Sequence, residues 1–179
     1  TAYEIKECDW SSDVCSSDLN DFLTMENDVG LVIVYTGKGK GKTTAALGMA
    51  MRAIGHNYRI CMIQFIKGSW HYGEMSSSKR LEPEFELTAV GKGFVGILDD
   101  KTPKEIHQKI ASEAIQMAKE KILSEKYNIV ILDEINYAVN LGLVGLVDVL
   151  DLIKNKPQNV TLVLTGNHVD RKSTRLNSS

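Results

Sequence analysis

Gly37-Lys38-Gly39-Lys40-Gly41-Lys42-Thr43-Thr44 stands between two contrasting runs of sequence. Upstream, Leu31 to Tyr35 is short, apolar and β-branched, and reads as a buried strand. Downstream, Thr43 to Ile54 is rich in Ala, Met and Leu and reads as a helix packed on a sheet, closed by Gly55. Strand, Gly-rich turn, Lys-Thr pair and helix in that order form the context of a phosphate-binding P-loop. Glycines let the backbone curl until successive N–H groups point at one anion, and the helix adds its positive end. Lys42 supplies a point charge for phosphate oxygens, and the Thr43 hydroxyl is a ligand for Mg²⁺ (or Mn²⁺). The general pattern G-x-x-x-x-G-K-S/T asks for Gly at position 36, where this chain has Thr36, and Gly37 stands one residue closer to Gly41. The plain alternative, a Gly/Lys-rich surface turn, leaves the coincidence of all four features unexplained.

The alternation continues outward from this motif. Arg59 to Phe65 reads as a second strand and Phe85 to Val90, with a weaker pattern, as a third. Thr102-Pro103 predicts a helix start, a Thr cap with Pro in the first helical position, and the helix runs to about Ser124. Asn128 to Asp133 is an apolar strand, Val144 to Ile153 has apolar positions at helical spacing, and Val160 to Leu164 is a last strand before Thr165-Gly166. Strands alternating with helices predict βαβ units: an α/β P-loop NTPase (RecA-like) fold of three layers with a mostly parallel central sheet. Asp133 and Glu134, ending their strand, fall at the carboxyl edge of such a sheet, where α/β ligands bind, and either carboxylate can hold Mg²⁺ directly or through water.

Composition sets the bounds. The 179 residues, 43% hydrophobic and 25% charged, suit one soluble domain with its own core. A net charge of −2 lacks the basic excess of a nucleic-acid binder. Cys8, Cys15 and Cys61 are odd in number and form no CxxC pair, against a disulfide framework or zinc ribbon. Cys61 sits in an apolar run and reads as a small core residue. No apolar run approaches a membrane span and no signal-peptide pattern opens the chain, so the cytoplasm is the expected compartment. Residues 1–27, with Ser-Ser-Asp at Ser11 to Asp13 and again at Ser16 to Asp18, and the polar tail 172–179 read as foreign to the domain that spans 28–171, or as disordered termini.

Five segments in order give the core, Gly30 to Asp170, a resemblance to the bacterial corrinoid adenosyltransferases. They are Thr36 to Ala46 (the cradle), Gln64-Phe65-Ile66-Lys67-Gly68-Ser69-Trp70 with Gly73-Glu74, Gly91-Lys92-Gly93-Phe94, Leu132-Asp133-Glu134-Ile135-Asn136-Tyr137-Ala138, and Leu164-Thr165-Gly166. Thr36 in place of Gly is then a family trait. The resemblance implies that Co(I) of a corrinoid attacks C5′ of ATP and that triphosphate leaves. Cradle and Mg²⁺ would stabilise the leaving group, and positioning of C5′ would supply the other large term. No general base is required; His56, His71, His107 and His168 are scattered and read as surface or supporting groups.

By the same resemblance, Thr36, Gly37, Lys38, Gly39, Lys40, Gly41, Lys42, Thr43 and Thr44 hold the nucleotide. Gln64, Lys67, Trp70 and Glu74 line the ligand site, and Thr43, Asp133 and Glu134 hold the metal. Trp70 either lines the corrinoid pocket or packs as a partly exposed loop aromatic. Lys42 and Phe94 carry the chemistry, Phe94 as the aromatic that displaces the lower axial ligand so that a flavoprotein partner can reduce the cobalt. A homodimer is the family habit. Two departures stand out. The family often continues Gly-Phe-Thr-Trp where this chain has Gly93-Phe94-Val95-Gly96, and Asn167 replaces the usual Arg after Thr-Gly. The family also continues beyond this point with a further helix and a charged closing segment, so the sequence predicts a C-terminally shortened domain. A P-loop phosphotransferase or ATPase is the rival reading, but it needs a lid arginine, and Arg52, Arg59 and Arg80 fall in no lid pattern. A non-catalytic ATP-binding module would leave Gln64 to Glu74 and Gly91 to Phe94 without a purpose.

Overall fold

A computed structural model describes residues 29–66, 72–90 and 103–167. In chain order the elements are β1 (Val32–Tyr35), α1 (Lys42–Ile54), β2 (Ile60–Gln64), α2 (Gly73–Arg80), β3 (Phe85–Ala89), α3 (Lys104–Leu123), β4 (Ile129–Asp133), α4 (Ile135–Asn140), α5 (Leu146–Asn155) and β5 (Thr161–Thr165). The five strands form one sheet in the order β1-β5-β4-β2-β3, and every pairing is parallel. The expected "mostly parallel" sheet is thus wholly parallel among the described residues.

Strand periodicity divides the core into two. Cys61, Ile63, Val130, Leu132, Leu162 and Leu164 face one side, where they meet Ala111, Ala114, Ala118 and Ile122 of α3, Ile135 and Ala138 of α4, and Val149 and Leu152 of α5. Ile60, Met62, Ile129, Ile131 and Val163 face the other, against Ala46, Ala50 and Ala53 of α1. Because both faces are covered, the central strands are apolar at successive positions through their middles rather than alternating, and their polar residues fall at the strand ends. Alanines on the inner faces of α1 and α3 let those helices lie close to the sheet. Three layers result, as the sequence predicts.

The local differences have physical reasons. α3 begins at Lys104 with Pro103 as its cap residue, in extended conformation at ψ 141, so Pro103 is not inside the first turn; Thr102 lies outside the described residues. Gly55 ends α1 in right-handed conformation, and the left-handed residue that reverses the chain is Asn57, φ 63, a residue type that tolerates this region. α5 starts at Leu146 rather than Val144, because Leu143 and Val144 are buried in the turn before it. α2 escapes the pattern reading because GEMSSSKR has no apolar stripe; Glu74 in its first turn and Lys79 and Arg80 in its last suit the helix dipole. His56 is exposed and His107 is buried on α3. At the β3 edge, Lys121 of α3 pairs with Glu86 (2.5 Å), which also accepts the Tyr127 hydroxyl. Among the described residues no helix is long and apolar enough to cross a membrane.

Candidate functional site: a phosphate cradle beside a buried carboxylate

The loop after β1 turns sharply at two glycines. Gly37 has φ 124 and Gly41 φ 104, both in the left-handed range that favours glycine. Thr36 is not among the positive-φ residues, which explains why this loop tolerates Thr there: the turn that demands glycine falls one residue later. A side-chain carbon at Gly37, Gly39 or Gly41 would meet nothing within 4 Å, so the loop encloses open space. Residues Thr36 to Gly41 and Thr44 are exposed. Gly41 caps α1 without a side-chain hydrogen bond, and the first turn holds no acidic residue. The helix therefore presents backbone donors and its positive end to whatever enters the loop. Lys42 folds back over the loop, its Nζ donating to the carbonyls of Gly37 (3.0 Å) and Gly39 (2.7 Å).

Thr43, one residue on, faces the sheet. Its hydroxyl donates to Asp133 Oδ1 at 2.9 Å. Asp133 ends β4 and is fully buried, as are Gln64 at the end of β2 and Thr165 at the end of β5. The register makes this convergence: Gln64 pairs with Asp133 across β2 and β4, and Leu132 pairs with Leu164, so Asp133 and Thr165 follow one step further on neighbouring strands. Gln64 Nε2 donates to Asp133 Oδ2 at 3.2 Å, and the Thr165 hydroxyl donates to Asp133 Oδ1 at 2.7 Å. Gln64 Nε2 also reaches Glu74 Oε1 of α2 at 3.4 Å, while Gln64 Oε1 is buried without a hydrogen-bond partner. Glu134 holds a left-handed conformation, φ 62, and its N–H donates to the Thr165 hydroxyl at 2.9 Å.

The structure places Lys42, Thr43, Gln64, Glu74, Asp133 and Glu134 at the carboxyl edge of the sheet. Lys67, Trp70 and Phe94 lie outside the described residues. Sequence reasoning missed Thr165 as part of this cluster. The only signal for it was the Thr165-Gly166 pair ending an apolar strand, which by itself does not say which neighbour the hydroxyl meets.

A model of the family described as ATP:corrinoid adenosyltransferase BtuR/CobO/CobP matches residues 28–177. The chain belongs to this family. Among the relatives it is similar to are the corrinoid adenosyltransferases of Escherichia coli K12, 35% identical over 141 residues (79% of this chain, 69% of that one), and Salmonella typhimurium, 33% identical over the same shares. That of Sinorhizobium sp. is 37% identical over 145 residues (80% and 66%). Among solved structures, the flagellar accessory protein FlaH of Methanocaldococcus jannaschii superposes with a TM-score of 0.52 at 12% identity, over 89% of this chain and 72% of that one, and supports the fold alone.

For this adenosyltransferase family member the donor set at the cradle fits a hard divalent cation. Thr43, Asp133 and Glu134 offer only oxygens. Among the described residues no group of three or more His, Cys, Asp or Glu is arranged as a metal cage. Mg²⁺ suits such a place, since it takes one or two protein ligands and completes its shell with phosphate oxygens and water.

Proposed function

We propose that this protein transfers the 5′-deoxyadenosyl group of ATP to the Co(I) centre of a corrinoid (cob(I)yrinic acid a,c-diamide, cobinamide or cobalamin), releasing triphosphate. The observation that carries the reading is the glycine cradle opening onto the Thr43–Asp133 pair in a chain of this family. In the reaction, the cobalt electron pair attacks C5′ of ATP. A Co–C bond forms, the C5′–O bond breaks, and triphosphate leaves with the bonding electrons. No proton has to be removed from the nucleophile, in keeping with a cradle that holds no His or Cys.

The residues divide the work. Loop N–H groups from Thr36 to Thr44 and the end of α1 bind the triphosphate, and Lys38, Lys40 and Lys42 add charge. Lys42 leaves the carbonyls of Gly37 and Gly39 for phosphate, so its role is electrostatic and grows as charge develops on the leaving group. Thr43, with Asp133 and Glu134, would hold Mg²⁺ or Mn²⁺, which when bound neutralises charge on the departing triphosphate. Gln64 and Glu74 border the cradle on the β2 side. Roles for Lys67 and Trp70 at the ligand, and for Phe94 beneath the corrin, rest on their motifs. We assign the reaction to the domain spanning 28–171, in the cytoplasm, as a homodimer supplied with electrons by a flavoprotein.

The test is anaerobic incubation with MgATP and a chemically reduced corrinoid, reading the phosphate product and the Co–C bond. Triphosphate with adenosylated corrinoid is expected, and Lys42→Ala should lower the rate by about 100-fold or more, in line with loss of a charge-stabilising group. ADP and orthophosphate formed independently of corrinoid would assign a phosphotransferase or ATPase instead. ATP binding without turnover would leave a non-catalytic module.

A further inference from the structure

One hydroxyl touches both acidic residues of the site. Thr165 Oγ1 donates to Asp133 Oδ1 (2.7 Å) and accepts from the N–H of Glu134 (2.9 Å). The side chain is fully buried, so neither bond can be replaced by water without rearrangement. Glu134 stands in a left-handed conformation, φ 62, which a residue with a side chain holds only where its surroundings fix it. The bond from its N–H to Thr165 is one such fixture. Behind Thr165 the next residue is equally constrained. Gly166 has φ 131, and a side-chain carbon there would lie 2.8 Å from the Tyr137 nitrogen. Gly166 N also donates to Tyr35 O (3.1 Å), which ties the end of β5 to the end of β1, the strand that leads into the cradle. In the sheet order β5 lies between β1 and β4, so Thr165 sits between cradle and carboxylate.

We infer that Thr165 is the positioning residue of this site: its hydroxyl sets the Asp133 carboxylate and the Glu134 peptide together, and through them the place of a divalent cation against a triphosphate. The inference rests on the proposed function for its ligand, MgATP, and on the hydrogen bonds above for its geometry. Its role is to act through Asp133 and Glu134, the two residues it bonds. Two bonds pass through one oxygen, so removing it takes a donor from Asp133 and an acceptor from the Glu134 N–H at the same time. Thr43 and Gln64 still bond Asp133, so the carboxylate stays in the site but loses the anchor that Thr165 provides.

The test compares Thr165→Val, which keeps the shape and removes the hydroxyl, with Thr165→Ser, which keeps the hydroxyl. Binding of ATP is titrated with Mn²⁺ present and with the metal removed by chelator, and bound Mn²⁺ is followed by its magnetic resonance signal. Loss of an outer hydrogen bond at a metal site costs about 10–100-fold in metal affinity. The valine variant should therefore lose about 10-fold or more of the tightening that Mn²⁺ gives to ATP. Metal-free ATP should bind as in the parent, and serine should restore the tightening. A valine variant with the full metal effect overturns the inference. So does a parallel loss with and without metal, or a serine variant no better than valine, since each marks a purely structural role. Thr165→Ala carries the same comparison should the valine variant not fold. The parent protein is assayed alongside for triphosphate and the Co–C bond. A parent that makes ADP removes the transferase reading, while the Mn²⁺ comparison still judges Thr165.

Discussion

Replacing Asp133 by Ala and by Asn separates what this carboxylate does for the fold from what it does for the ligand. It is fully buried and accepts from Thr43 (2.9 Å), Thr165 (2.7 Å) and Gln64 (3.2 Å). Alanine leaves the Thr165 hydroxyl and the Gln64 amide, both fully buried, without their acceptor, and a stranded buried donor costs about 1–3 kcal/mol. Thr43 is only half-buried and can turn toward water. Asp133→Ala should therefore lose about 2–5 kcal/mol, a large part of the roughly 5–15 kcal/mol that holds a domain folded. Asparagine keeps the volume and one acceptor, which can serve Thr43 and Thr165. Its amide would then face Gln64 Nε2 donor to donor. Gln64 has a remedy in its own orphaned Oε1, because turning its amide over offers an acceptor at the same place. The turn exchanges the 3.4 Å contact to Glu74, a weak bond at that length, for two oxygens facing each other there, and moves the amide donor to the buried place of Oε1. That cost adds to the loss of charge assistance, and together they stay at about 1–2 kcal/mol. Urea unfolding without ligand should give midpoints in the order parent, Asn, then Ala by a wide margin, with similar slopes. Both variants should lose the metal-dependent part of ATP binding. The reasoning fails if Asn is as destabilising as Ala, which would mean the charge and not the acceptors holds the cluster. It fails equally if Ala stays within about 0.5 kcal/mol of the parent, the range of an inert surface change.

Three further outcomes are expected. Gly166→Ala should destabilise by about 2–4 kcal/mol in thermal or urea unfolding, because φ 131 disfavours a side chain and its carbon would press on backbone at 2.8 Å; Gly39→Ala, with nothing within 4 Å, should stay within about 1 kcal/mol of the parent. The Cys61 thiol is pushed up to about 12, by burial first and then by the negative Glu86 beside it, so at pH 8 it should resist alkylation in the folded protein and label only as the protein unfolds, a result read by peptide mass mapping. For Glu86, burial alone would raise the carboxyl pKa, but hydrogen bonds from Lys121 and Tyr127 outweigh it and hold the pKa below the ordinary 4.5. A depressed carboxylate gives stability that is present above its unfolded pKa and is lost as pH falls through the folded one. Glu86→Gln should accordingly cost under about 1 kcal/mol at pH 7, since the pair is partly exposed, and the difference from the parent should vanish as acid titration passes below 4.5.

The sequence by itself determined the elements that local chemistry dictates. Continuous apolar runs mark strands covered on both faces, so Ile60–Gln64, Ile129–Asp133 and Thr161–Thr165 were legible to within a residue or two. Gly37 to Thr44 needed no tertiary partner to be read, because phosphate binding depends on backbone curl and a helix end that neighbours in sequence supply. Short helices were not legible. Gly73–Arg80 lacks an apolar stripe and Ile135–Asn140 has six residues, so packing rather than pattern makes them. Strand order was decided only by the tertiary structure. Nothing local says that β5, last in the chain, inserts between β1 and β4, yet that insertion brings Thr165 beside Asp133 and ties its strand to the cradle. Thr43, Gln64, Asp133 and Thr165 are spread over 123 positions of the chain and meet within hydrogen-bond reach because parallel register aligns the carboxyl ends of β2, β4 and β5 and the first turn of α1 brings Thr43 to that edge. A hydroxyl or an amide in sequence has no partner written beside it; only the folded sheet chooses which carboxylate it meets.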